Sequence, residues 1–357
     1  MDERDEILLL LNACCLTNRE LHRLALLGTA PTMLLRSPLR ASELGLRAAV
    51  GARLAQLMQE AFAEREVERA AQLDAVIITI GSGQYPSRLR EIYDPPLVLY
   101  CRGEPVLDGV LVAVVGARKC TPYGRDQARR LGLRLAQHAV PVLSGLALGI
   151  DQWAHRGCLD GGGRPIAVLG CGIDQVYPPG ADAMHAEVRE HGALVSEFPI
   201  GMRPSRLGFP RRNRLVSGLA EVVAVIEASQ SSGSLITAEF AQQQGRTVFA
   251  LPGPVDRLES RGTNELIRDG ATPLLDADDV LQAIGFTVTE AQAVRPQHEL
   301  EGVERVVAEQ LKLGDACVSE LIAETNLGYE AIVAALFGLE ARSLVERCAG
   351  ERYRWRS

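Results

Sequence analysis

The sequence predicts an α/β protein: a doubly wound, Rossmann-like domain with an extended parallel sheet, flanked by a helical domain and a C-terminal winged-helix-like domain. Three observations predict it. Between Gly109 and Ile284, short apolar runs alternate with segments able to form helices, at fairly regular spacing. The runs are apolar throughout, as strands buried on both faces by helical crossovers are. Several of them end in turns crowded with glycine and serine, where sheets of this class bind their ligands.

Each element follows from local pattern. Residues 1–68 read as a helical domain, with leucines and alanines at helix-compatible positions from Ile7 to Leu11, Leu21 to Leu27 and Leu44 to Phe62. From Leu73 the periodicity changes, and Ala75–Ile80 and Leu97–Cys101 are β-type runs expected to extend the main sheet. That sheet, in a domain spanning residues 69–286, draws on Leu111–Val115, Val140–Leu143, Ile166–Leu169, Ala193–Phe198, Val222–Ile226, Thr247–Ala250 and Thr272–Leu275. Residues 287–300 carry little apolar pattern and one proline, and read as a linker. Residues 301–357 read as helices at 303–313, 318–324 and 329–342, then strands at 344–347 and 353–356 around Gly350. Three helices and a hairpin make a winged-helix layout. Its usual DNA-reading helix, 329–342, holds one arginine and two glutamates, which argues against DNA reading by this domain.

Composition narrows the class. The chain has 357 residues, 47% hydrophobic and 23% charged, with a net charge of -7. That balance disfavours indiscriminate polyanion binding and leaves room only for a concentrated cationic site. The acidic start, Met1-Asp-Glu-Arg-Asp-Glu6, is no secretory signal, and no apolar run approaches the roughly 20 residues that cross a bilayer. A cytoplasmic protein without membrane contact is expected. The eight cysteines form no C-x-x-C and are expected to be reduced core thiols. Walker A, G-x-S-x-G and H-E-x-x-H motifs are missing, so no catalytic residue, metal or cofactor is assigned.

The strand ends carry the chemistry. After the first strand comes Gly116-Ala117-Arg118-Lys119-Cys120-Thr121-Pro122. Gly116 permits close approach, Pro122 suits a helix start, and Arg118 and Lys119 add charge beside that helix's positive end. Phosphate contact is the expectation. G-x-G-x-x-G is absent there, so a nicotinamide or flavin is not favoured. The second strand ends in Ser144-Gly145, and Asp151 and His155 follow four residues apart on one helical face. They form an incomplete metal site, so a structural Asp–His contact is expected. The segment Phe209–Arg246 opens with Arg211, Arg212 and Arg214 and continues through an apolar strand and a Ser229–Ser234 loop into a helix. Strand, small-residue loop and helix leave backbone N–H groups aimed at an anion. Phe209 beside that cluster, with Arg206 three residues earlier, is what single-stranded nucleic acid needs: a stacking surface with phosphate partners alongside.

In order along the chain, the strings VGARKCTPYG (115–124), SGLALGIDQWAH (144–155), AVLGCGIDQVYP (167–178), FPRRNR (209–214), SGSLITAEFA (232–241), GRTVFALPG (245–253) and GTNELIRDGA (262–271) resemble the DNA-processing protein A (DprA/Smf) family. The resemblance spans roughly residues 73–285. It implies a SAM-like helical N-terminal domain, and the winged-helix-like tail matches an optional third domain. It further implies a non-enzymatic protein that binds single-stranded DNA in natural transformation, protects it and loads the RecA recombinase onto it. A homodimer through the Rossmann-like domain is implied as well. By matching positions, Arg118, Arg211, Arg212 and Arg214 would contact phosphates, Arg206 would be the basic residue before a base-stacking Phe209, and Ser144, Gly145 and Asn213 would shape the pocket. One departure is Gly180-Ala181-Asp182, where similar members carry an acidic-Asn pair after Tyr-Pro. Two other readings stay open: a Rossmann-like nucleotide-processing hydrolase using Asp151 or Glu197 as acid or base, and a winged-helix regulator with a ligand-sensing domain.

Overall fold

The structure is a computed structural model that describes residues 1–287, 302–341, 344–348 and 352–355. Beyond residue 287 the expected linker lies outside the described residues, as do Arg342, Gly350 and Arg356. The chain forms two compact units, residues 1–288 and 289–357.

The first unit begins with helices α1 (Glu3–Asn12), α2 (Asn18–Leu26), α3 (Met33–Arg36), α4 (Ala48–Gln59) and α5 (Phe62–Gln72). A 3₁₀ turn at Pro38–Leu44 precedes α4. Thr17 caps α2 in a reciprocal box with Glu20, which fixes where that helix starts. Ile7–Leu11 of α1 are all buried, and they share a core with Leu97, Val98 and Tyr100 of the sheet. The N-terminal helices therefore belong to the same compact unit as the sheet.

Then follow β1 (Ala75–Thr79), α6 (Ser87–Arg90), β2 (Val98–Gly103), β3 (Val112–Val115), α7 (Pro122–Gln137), β4 (Val142–Ser144), α8 (Ile150–Asp160) and β5 (Pro165–Val168). The unit continues with α9 (Asp182–His191), β6 (Ala193–Ser196), α10 (Gly208–Leu219), β7 (Val222–Val225), α11 (Gly233–Gln243) and β8 (Thr247–Ala250). It closes with α12 (Leu258–Arg268), β9 (Thr272–Pro273) and α13 (Ala277–Ala283). The nine strands form one sheet in the order β1-β2-β6-β5-β4-β3-β7-β8-β9. From β6 to β9 in that order the pairing is parallel, and β1 and β2 extend one edge antiparallel.

Successive residues of each strand enter opposite cores. Ala113 and Val115 of β3 pack with Val223 and Val225 of β7, whereas Val112 and Val114 pack with Val222 and Ala224. That two-sided burial is why the strands read as unbroken apolar runs. The chain runs outward from β3 through β4, β5 and β6, then returns to β7 on the other side of β3. The switch point between β3 and β7 opens a crevice at the strands' carboxyl ends.

The second unit holds α14 (Gly302–Leu313), β10 (Ala316–Cys317), α15 (Val318–Thr325), α16 (Tyr329–Ala341), β11 (Val345–Arg347) and β12 (Arg352–Trp355). Its sheet runs β10-β12-β11, and Val307, Leu311, Leu321, Ile332, Leu336 and Leu339 build its own core. This is the winged-helix layout with one more strand than expected. Two residues are too few for β10 to leave a periodic signal.

Candidate nucleic-acid interface

A cleft of about 720 Å³ lies at the carboxyl ends of β3, β4 and β7, walled by the first turns of α10 and α11. Its shape depends on glycines that let backbones touch. A Cβ at Gly208 would overlap the Gly170 carbonyl, and one at Gly170 would lie 2.6 Å from Cδ1 of Phe209. The start of α10 thus sits on the end of β5, leaving the Phe209 ring half-buried in the cleft wall. Tyr177 packs against that ring at 4.9 Å between centroids, tilted by 34°. The Arg118 guanidinium lies 5.3 Å from the Phe209 centroid, a cation–π distance.

Arg212, one turn into α10, is only 4% exposed yet lines the cleft. It donates to the Val168 carbonyl, and its Nε lies 3.2 Å from Oδ1 of Asn213. Its guanidinium rests on Gly145, where any Cβ would overlap it, so this position admits only glycine without displacement. Burial pulls Arg212 below its ordinary value, opposed by the Asp151 carboxylate nearby. Asn213 Nδ2 donates to the Gly233 carbonyl at 3.2 Å, tying α10 to the first residue of α11. Arg118, Lys119 and Arg206 are exposed on the cleft lining, and none is engaged in an ion pair among the described residues.

The two helix starts differ. That of α11 opens on the cleft through Ser232, Gly233 and Ser234, and nothing lies within 4 Å of a Cβ at Gly233. The start of α7 is already taken. Glu227, just beyond β7, accepts from the Thr121 backbone N–H at 2.9 Å and from the Thr121 hydroxyl. The expectation that α7's positive end would meet an external phosphate is corrected: Arg118 and Lys119 are available, the helix end is not.

Ser144, Arg211 and Arg214 do not line the cleft. Ser144 is buried and donates to the Val114 carbonyl at 2.6 Å. Arg214 is fully buried, with Nε 2.9 Å from Asp94 and Nη2 2.7 Å from Glu197. Burial lowers its pKa, but the Glu197 and Asp94 carboxylates outweigh burial and leave it raised. Arg211 donates to the Leu16 carbonyl at 3.0 Å and pairs with Glu197 at 3.4 Å. Helical arithmetic explains the division: Arg211 and Arg214 share a face, and Arg212, about 100° from Arg211, points elsewhere. The expected phosphate contacts by Arg211 and Arg214 are therefore replaced by structural ion pairs.

The expected Asp151–His155 contact is absent among the described residues. Asp151 accepts from the Gly145 and Ala147 N–H groups at 3.0 and 3.3 Å, pinning the turn under Arg212, and burial raises its pKa. His155 faces the Ile166 carbonyl at 3.3 Å. Of the two carboxylates considered for hydrolysis, Glu197 is enclosed by arginines and only Asp151 lines the cleft. No group of three or more His, Cys, Asp or Glu among the described residues could hold a metal ion. No helix among them is long and apolar enough to cross a membrane. Tyr177 was missed from sequence, although an aromatic residue in a third glycine-rich strand end was a usable signal.

The family model described as DNA recombination-mediator protein A matches residues 76–285. A putative DNA processing protein DprA of Mycobacterium tuberculosis is 36% identical over 344 residues, covering 89% of this chain and 87% of its own. The X-ray structure of DNA processing protein A from Streptococcus pneumoniae superposes with a TM-score of 0.70 at 32% identity, over 79% of this chain and 98% of that one. The Helicobacter pylori DNA processing protein A, described for its single-stranded DNA binding mode, gives a TM-score of 0.54 at 30% identity, over 59% and 96%.

Proposed function

Because the chain belongs to the DNA recombination-mediator protein A family, we propose that it binds single-stranded DNA in this cleft and loads the RecA recombinase onto it. The observation that carries the reading is the Phe209 ring set in the cleft wall between Tyr177 and Arg118, above the Arg212–Gly145 contact. A strand laid there would stack a base on Phe209, worth about 1–3 kcal/mol, while Arg118, Lys119, Arg206 and Arg212 meet its phosphates. Gly145 and Asn213 would shape the floor. The relative from Helicobacter pylori, described for its single-stranded DNA binding mode, supports a single strand as the ligand. In this reading the protein works without catalysis or cofactor, in the cytoplasm, as a homodimer through the sheet-bearing unit, protecting DNA during transformation or recombination.

The test is fluorescence polarisation of labelled oligo-dT, single-stranded against duplex, with Phe209→Ala and Arg212→Ala checked for folding by circular dichroism. Phe209→Ala should weaken single-strand binding roughly tenfold. Unchanged binding by both folded variants would remove the cleft from the mechanism. Turnover of a mononucleotide would favour the hydrolase reading, and duplex preference residing in residues 301–357 the regulator reading.

A further inference from the structure

In doubly wound folds, the helix that follows the central strand usually meets a nucleotide phosphate with its free N–H groups. Here that helix is α7, following β3 at the switch point. We propose that Glu227 is a resident anion at the fold's nucleotide-phosphate position, closing the start of α7 to the phosphate of a free nucleotide. The inference rests on the single-strand reading above and deepens it, by naming a residue that sets ligand class.

Three observations carry it. Glu227 is 4% exposed, and both its oxygens are engaged by Thr121, the residue that caps α7. Gly124, in the helix's first turn, lies so close that a Cβ there would overlap the Glu227 carboxylate. No arginine or lysine pairs with this carboxylate among the described residues. A buried carboxylate without a cationic partner needs its charge met otherwise, and a helix N-terminus with a capping N–H and hydroxyl meets it. A phosphate of a dinucleotide cofactor would have to displace it or endure its repulsion. The cations that remain, Arg118 and Lys119 just before α7 and Arg206 ahead of α10, stand exposed on the cleft lining.

The experiment is isothermal titration of the full chain with ADP and with inorganic pyrophosphate, without DNA, for wild type, Glu227→Ala and Glu227→Gln. Circular dichroism establishes which variants are folded, and the isosteric Glu227→Gln decides if the alanine variant is not. The expected result is a gain of about tenfold in anion affinity for the folded variant over wild type. Wild-type affinity for ADP equal to the variants', or no gain in any folded variant, overturns the proposal. Oligo-dT binding by wild type is read separately, so failure of the single-strand reading and failure of this inference are distinguishable.

Discussion

At the residue scale, neighbouring arginines have opposite jobs. Arg212 presents its guanidinium over Gly145 in the cleft, whereas Arg214 neutralises Asp94 and Glu197 in the interior. Removing one partner of a buried ion pair leaves uncompensated charge. Arg214→Ala should therefore lower stability by about 3–5 kcal/mol in urea unfolding, whereas Arg212→Ala, which also takes the charge away from buried Asp151, should act on both stability and DNA affinity. Equal unfolding midpoints for Arg214→Ala and wild type would contradict that division. His155 supplies a pH signature. It is fully buried with Nδ1 unpartnered among the described residues, and burial pushes its pKa down to about 4. The unfolded chain's histidine, with a pKa near 6.5, takes up a proton that the native site refuses. This contribution is thus intact above about pH 6.5 and is lost as pH falls towards 4, by up to about 3 kcal/mol. His155→Asn should flatten the stability–pH profile over that window, and parallel profiles for the two proteins would refute the assignment.

At the element scale, α7 and α8 pack backbone to backbone. A Cβ at Gly157 would overlap the Arg129 carbonyl, and one at Gly132 the Ala154 carbonyl. Backbone cannot yield as a flexible side chain does, so Gly157→Ala should cost about 1–3 kcal/mol. Because α8 also carries Asp151, which pins the Gly145–Ala147 turn, the effect should extend to DNA affinity at temperatures where the variant stays folded. A lower Tm with unchanged oligo-dT binding would separate the helix pair from the cleft. On the sequence side, the parallel strands were legible almost residue by residue because burial on both faces leaves unbroken apolar runs. The strand β10 was not, since its pairing with β12 at Ala316–Tyr353 is a tertiary event without local pattern.

At the scale of the whole molecule, a chain with a net charge of -7 lines one cleft with Arg118, Lys119, Arg206 and Arg212. With Arg118, Lys119, Arg206 and Arg212 as phosphate partners, log affinity for oligo-dT should fall against log salt with a slope of about -3. A chain ending at residue 288, the limit of the first compact unit, should keep that slope, because the cleft-lining residues among those described all lie within it. A slope near zero, or its loss on truncation, would shift the site elsewhere. The second unit carries Tyr329, Val333 and Phe337 exposed along α16 where a DNA-reading helix would carry cations, in keeping with its acidic sequence.

The sequence by itself determined the doubly wound sheet and the winged-helix tail, and it pointed to the strand ends and to the segment Phe209–Arg214 as expected places of ligand contact. Those rest on periodicity, spacing and residue type, which are local properties of the chain. Only the tertiary structure decided which arginine faces the cleft, that Glu227 fills the start of α7, and that the N-terminal helices share the sheet's core. A one-residue step on α10 turns a side chain by about 100°, and what it meets there is set by segments distant in sequence. Arg214 meets Asp94 and Arg212 meets Gly145, partners that no window around residues 209–214 contains.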